Sequence, residues 1–177
     1  KNGKEGTEIL GEIINIIFEP VIDSIYSSGG FVTVFAGDAL SAVFIAPDEG
    51  PDQPAAAGAI GCAFEIKEIF AKTAVIDNKF GHFELNVKIG MSAGPVEWSI
   101  IENSIQNSYY FRGHAVSEAA VCERHCGSGE VVACGRLAVK IKPENILCEK
   151  VRGYYLLKRP SSPAPRSVIK EAEDISY

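Results

Sequence analysis

One carboxylate stands out for its setting. Asp38 follows Gly37 inside GGFVTVFAGDALSAVFIA, residues 29–46, an otherwise apolar stretch. A carboxylate at the tip of an apolar hairpin can ligate a divalent cation, but Gly-Asp pairs also serve as plain solvated turns. Both readings of Asp38 stand at this point. Cys122 and Cys126 lie one helical turn apart with His125 between them. Thiolate and imidazole are zinc ligands, yet no second pair repeats that spacing, so free thiols are the simpler reading. His114 and His125 show no carboxylate partner at a fixed spacing and read as surface or hydrogen-bonded structural residues. Arg112 could meet a phosphate, although a surface ion pair is the commoner use. Trp98 suits either a core or an interface.

The elements that carry these residues follow from periodicity. Thr7 is a good N-cap, with residues 1–6 as a frayed lead-in. From Ile9 to Ile25 apolar residues recur at i, i+3, i+4 spacing, which predicts an amphipathic helix to about Tyr26, kinked at Pro20. Two strands follow, Phe31–Phe35 and Ala39–Ile45, joined at Gly37-Asp38. A second helix is predicted over Gln53–Thr73, then a connection to about Phe83. Residues 83–93 alternate with period two and predict one strand, returning as a hairpin through Val96–Ile101. Tyr109–Arg112 reads as a short strand and Ala115–Cys126 as a third helix. Val131–Cys134 and Tyr154–Lys158 read as strands, with a short helix or turn at Arg136–Ile141. That order is α+β, with helices over one face of a mostly antiparallel sheet.

The 177 residues are 46% apolar and 23% charged, which fits one soluble domain with a real core. Residues 1–158 form that domain; 159–177, with Pro160, Pro163, Pro165 and several serines, read as a tail. A net charge of −6 without a basic stripe excludes nucleic acid as a general electrostatic partner. Five irregularly spaced cysteines argue for free thiols in a reducing compartment, hence a cytoplasmic location. No run reaches the ~18 apolar residues of a membrane-spanning helix, and no signal peptide is visible. A chain that opens on Lys1 reads as part of something longer.

Four stretches, in order, resemble the class III nucleotide cyclase catalytic domain. They are GG-x-x-x-x-FAGDAL at Gly29–Leu40, KIGMSAG at Lys88–Gly94, YFRGHAV at Tyr110–Val116, and the closing YYLLK at Tyr154–Lys158. The wording is closest to the first catalytic domain of the soluble, bicarbonate-responsive branch. The resemblance covers about Thr7 to Lys158. It implies a ferredoxin-like sheet that works as a head-to-tail pair of domains and cyclises ATP to cyclic AMP, with GTP left open. It also implies two magnesium (or manganese) ions held by two carboxylates. Asp38 resembles the second of these, with Phe35, Ala36 and Gly37 beside the nucleotide.

Several family positions differ here. The first carboxylate and its strand would precede the first helix and are not in this sequence. The base-recognition lysine falls at Val34 and its partner at Tyr110. The transition-state asparagine falls at Ser117 and the arginine at Val121. The activator-pocket positions fall at Val34 and near Ala120, both apolar, so bicarbonate activation is not supported. The resemblance therefore implies a metal-bearing half-site that needs a second cyclase-like domain. The alternative is a catalytically degenerate module for dimerisation or regulation.

Overall fold

The computed structural model describes residues 3–47, 53–73, 75–78, 81–102, 107–140, 148–151 and 154–158, and the side chains of 15–47, 53–73, 84–102, 108–140 and 154–158. The described helices are α1 (Gly3–Ser27), α2 (Gln53–Lys72), α3 (His114–Arg124) and α4 (Gly135–Ala138). The first strands form three separate hairpins. These pair β1 (Gly30–Ala36) with β2 (Ala39–Phe44), β3 (Val75–Asn78) with β4 (Gly81–Glu84), and β6 (Glu97–Glu102) with β7 (Asn107–Arg112). The central sheet holds β5 (Ile89–Met91), β8 (Val131–Ala133), β9 (Cys148–Val151) and β10 (Tyr154–Leu157) in the order β5-β8-β10-β9.

Two apolar clusters hold these elements together. In the first, Ala56, Ile60, Ala63 and Phe64 of α2 share a core with Cys122, Cys126, Val131, Val132, Ala133, Leu137 and Leu157. All three residues of β8 are buried. Consecutive strand residues point to opposite faces, so β8 is covered on both sides, as parallel pairing with β5 requires. In the second, Ile17, Val21 and Ile25 of α1 meet Cys62 and Ile66 of α2. Val32, Leu40, Ala42 and Phe44 border it from one side, and Leu85, Val87 and Ile89 from the other. Each fully buried Ile or Val contributes about 1.5–3 kcal/mol. Between the helices, buried Ser24 donates to Glu65 Oε2 at 3.0 Å, which satisfies its hydroxyl.

The predicted cover over one sheet face holds for α1 and α2. On the other side of β5, α3 lies so close that a Cβ on Gly90 would collide with the backbone of Ala119 and Glu123. Among the described residues β2 pairs only with β1 and β5 only with β8. No described strand joins β2 to β5, although both border the same helical cluster.

Some expectations need correction. The first helix begins at Gly3, so Thr7 lies inside it; Lys4 and Glu5 are good helix formers and outweigh the flanking glycines. Pro20 sits within α1, which runs on to Ser27, in line with the predicted helix to about Tyr26. The connection after α2 contains the β3–β4 hairpin. The long strand over 83–93 is split: β4 ends at Glu84 and β5 begins at Ile89. The alternation of half-buried Leu85 and Val87 with exposed Glu84, Asn86 and Lys88 is real, but it arises from packing against helices rather than from a paired neighbour. The second hairpin joins β6 to β7, not β5 to β6. Gly94, at φ 157°, lets the chain leave the sheet there. Strand β9 carried no clear alternation in sequence. The tail from 159 to 177 lies outside the described residues.

Gly90→Ala is expected to cost about 3 kcal/mol or more, because backbone rather than a pliable side chain occupies the space. Urea unfolding measures it. A variant as stable as the parent would show that α3 is free to lift from β5.

Candidate functional site

The β1–β2 hairpin positions Asp38. Its register runs from Gly30↔Phe44 to Ala36↔Ala39, leaving Gly37 and Asp38 as a two-residue turn. Gly37 has φ 66°, the positive value that mirror-image hairpin turns demand. Thr33 is the extra residue of a bulge between Val32 and Val34, and its hydroxyl donates to the Ser41 carbonyl oxygen at 3.1 Å. The bulge re-aims every side chain beyond it. Val34, Phe35, Ala36, Gly37 and Asp38 are all exposed. The Phe35 ring packs edge-on against Phe18 of α1, centroids 5.5 Å apart, and so ties the tip of the hairpin to the helix. The tip is thus an open, anchored turn that presents one carboxylate to solvent.

The other family positions lie elsewhere. Tyr110 is on β7, with the Arg112 guanidinium 5.9 Å from its ring centroid. Arg112 donates from Nε to Glu97 Oε2 at 2.8 Å, so it takes the surface ion pair rather than a free, phosphate-seeking pose. Ser117 and Ala120 are exposed on α3, and Val121 is half-buried. Hairpin and ribbon meet through Phe31 and Phe111, whose centroids are 6.0 Å apart. That contact is at the root of the hairpin. The structure therefore groups Ala36, Gly37 and Asp38 at one place and Tyr110, Ser117 and Val121 around the β7–α3 junction at another.

A cavity of about 460 Å³ runs along α1, lined by Asn15, Phe18, Glu19, Ile22 and Asp23. Its two carboxylates make it a poor host for a polyphosphate, which needs cations or backbone N–H groups.

His114 and His125 make local side-chain contacts. His114 Nε2 stands 3.4 Å from Glu118 Oε2, an i,i+4 pair that the sequence reading missed although the spacing was there to find. The Tyr154 hydroxyl also bonds Glu118; burial first, then that carboxylate, pushes it up. His125 stacks on Tyr154 with centroids 4.7 Å apart. Cys62, Cys122, Cys126 and Cys134 are buried free thiols. Burial, reinforced by Cys134 and Glu118, pushes Cys122 up to about 12. Cys126 is raised by burial too, and its thiol donates to the Ile89 and Cys122 carbonyl oxygens. Among the described residues no group of three or more His, Cys, Asp or Glu is placed to hold a metal ion. Nor is any described helix long and apolar enough to cross a membrane.

No family model matches the chain. It is 25% identical over 164 residues to adenylate cyclase type 10 of Oryctolagus cuniculus, a match that takes in 89% of this chain and 10% of the relative. The chain thus spans about a tenth of the length of the curated relatives it matches. Among solved structures, it is similar to the guanylate cyclase domain of RhGC from Catenaria anguillulae, crystallised with GTP. The TM-score is 0.74 at 19% identity, covering 88% of this chain and 86% of that one. The adenylyl cyclase CyaB from P. aeruginosa gives a TM-score of 0.70 at 16% identity, with 88% and 85% covered.

A raised folded-state thiol pKa gives the protonated form an advantage that is complete below the ordinary value of 9.0 and disappears as pH climbs through about 12. Stability against urea is therefore expected to be insensitive to Cys122 below pH 9 and to fall between pH 9 and 12, less steeply in Cys122→Val. Native Cys122 should resist iodoacetamide at pH 8, and rapid labelling without unfolding would contradict its burial.

Proposed function

We propose that this chain, which has the catalytic-domain fold of the class III nucleotide cyclases, is the metal-binding half of a two-domain nucleotide cyclase. The observation that carries the reading is Asp38, held out to solvent on an anchored hairpin tip inside FAGDAL. The donors of this chain alone do not suffice for a two-metal centre, since one exposed carboxylate cannot fill the coordination sphere of a hard cation. Asp38 would be one ligand of magnesium or manganese, and a second carboxylate would come from sequence that precedes Lys1 in the full protein. Bound there, the ions would stabilise charge on the attacking and leaving oxygens of the phosphoryl transfer.

The reaction proposed is ATP to cyclic AMP and pyrophosphate, after the adenylate cyclase type 10 relatives, with GTP a second candidate after the guanylyl cyclase neighbours. The ribose 3′-hydroxyl forms a bond to the α-phosphorus and pyrophosphate leaves. In this chain Ala36 and Gly37 offer small, exposed backbone beside Asp38, and Phe35 braces the turn against Phe18. Base recognition and the cationic transition-state contact are assigned to a partner domain, because Val34, Tyr110, Ser117 and Val121 carry no charge. The proposed domain spans 1–158. A second reading, a degenerate module without chemistry, is favoured by the same four side chains.

The decisive assay is cyclic-nucleotide production by a version extended through the preceding segment, alone and mixed with the second cyclase-like domain of the full protein. ATP or GTP is supplied with magnesium or manganese. The half-site reading expects product only in the mixture, and a drop of at least ~100-fold in Asp38→Ala. No product in any mixture, with no metal-dependent nucleotide binding, leaves the degenerate module.

A further inference from the structure

The first strand of the Asp38 hairpin breaks its own sequence pattern. In Val32-Thr33-Val34 a polar residue separates two apolar ones, a spacing that puts both valines on the helix side and Thr33 on the other. The structure reverses this beyond Val32. Thr33 is 5% exposed, and Val34 is 52% exposed. The register explains the reversal. Gly30↔Phe44 and Val32↔Ala42 pair in step, whereas Val34↔Ser41, Phe35↔Leu40 and Ala36↔Ala39 are one residue out of step with them. Residues directly opposite share a face. Val32, Leu40, Ala42 and Phe44 border the α1–α2 cluster, so Phe35 shares their face. Val34 lies on the far face with exposed Ser41.

A straight register would set Thr33 opposite Ser41, Val34 opposite Leu40 and Phe35 opposite Ala39. Phe35 would then turn away from α1, and Ala36, Gly37 and Asp38 would form a longer loop. The bulge instead leaves Gly37-Asp38 as the turn and brings the Phe35 ring to Phe18, centroids 5.5 Å apart. Side-chain burial works against it. Val34 forgoes cover, and Thr33 takes a hydroxyl out of water. That hydroxyl is satisfied at the step itself, where it donates to the Ser41 carbonyl oxygen at 3.1 Å. A bulge leaves its extra residue out of the ladder, and here the side chain makes the cross-strand bond.

We infer that Thr33 is a positioning residue for Asp38. Its hydroxyl holds the bulged register, and that register sets both the turn carrying the carboxylate and the Phe35 brace against α1. What Asp38 binds rests on the half-site reading; where it stands does not. The experiment compares Thr33→Ala with Thr33→Ser, which both lose the methyl group but differ in the hydroxyl. Thr33 belongs to neither apolar cluster, so both variants keep their core. Nuclear Overhauser contacts in the 177-residue chain read the register. The parent should join Phe35 to Phe18 and Leu40. Thr33→Ala should shift the ratio of bulged to straight register about 5- to 10-fold toward the straight one, weakening those contacts and adding Val34 to Leu40. Thr33→Ser should follow the parent. In the extended version mixed with its partner domain, Thr33→Ala should also raise the metal concentration for half-maximal rate at least ~2-fold, because apparent affinity falls with the fraction in the binding register. A variant that is only less stable would lose rate and keep that concentration. Parent-like contacts in Thr33→Ala overturn the proposal, as does a Thr33→Ser that behaves like Thr33→Ala. A shifted register with unchanged metal dependence overturns the link to Asp38. A parent mixture that makes no product counts against the half-site reading, and the contacts alone then decide whether Thr33 holds the turn.

Discussion

The closeness of α3 to β5 is the constraint on which the rest of this fold depends. Gly90 has no side chain because the backbone of Ala119 and Glu123 occupies its place. That approach fixes the crossover from β5 through β6, β7 and α3 to β8, and so decides where the ribbon leaves the body of the protein. It also seals β8 from the side opposite α2, which is why three consecutive residues, Val131 to Ala133, are all buried. Buried parallel strands tolerate such unbroken apolar runs, since neither face meets water.

The same packing determines the chemistry of the cysteines. Cys122 and Cys126 look like ligands in a line of sequence, but Cys122 is buried on the inner face of α3 and the Cys126 thiol, just past its end, is turned to carbonyl oxygens. A thiol in that setting behaves as a small apolar residue. The hairpin tip is the opposite case. Asp38 keeps full access to solvent, and two local devices place it: a positive-φ glycine that closes the turn and a bulge at Thr33 that resets the facing of side chains. Core packing governs one end of the molecule, and turn chemistry governs the other.

Between these ends the surface is divided by residue type. Carboxylates line the cavity along α1, aromatic side chains face outward from the ribbon, and around the β7–α3 junction Tyr110, Ser117 and Val121 are uncharged among the paired Arg112 and Glu118. Neither group of family positions completes a site by itself.

The sequence alone determined the local features. It gave α2 and α3 nearly to the residue, and it placed the β1–β2 turn at Gly37-Asp38, because apolar period and glycine chemistry act over a few residues. The four motifs were enough to indicate the cyclase fold, since each lies within one short stretch. Sequence did not determine which strands pair. The alternation over 83–93 suggested one strand, yet Leu85 and Val87 owe it to helices that come from far away in the chain. By pattern Val96–Ile101 was paired with the strand over 83–93, yet β6 pairs with β7, where close packing at Gly90 and Gly113 lets the chain leave the sheet. The exposure of Trp98 was equally invisible, because a two-residue alternation reports two faces but not which of them meets a core. Those outcomes were decided by tertiary packing, where the free energy of burying α3 against β5 outweighs the local preferences of the strands on either side.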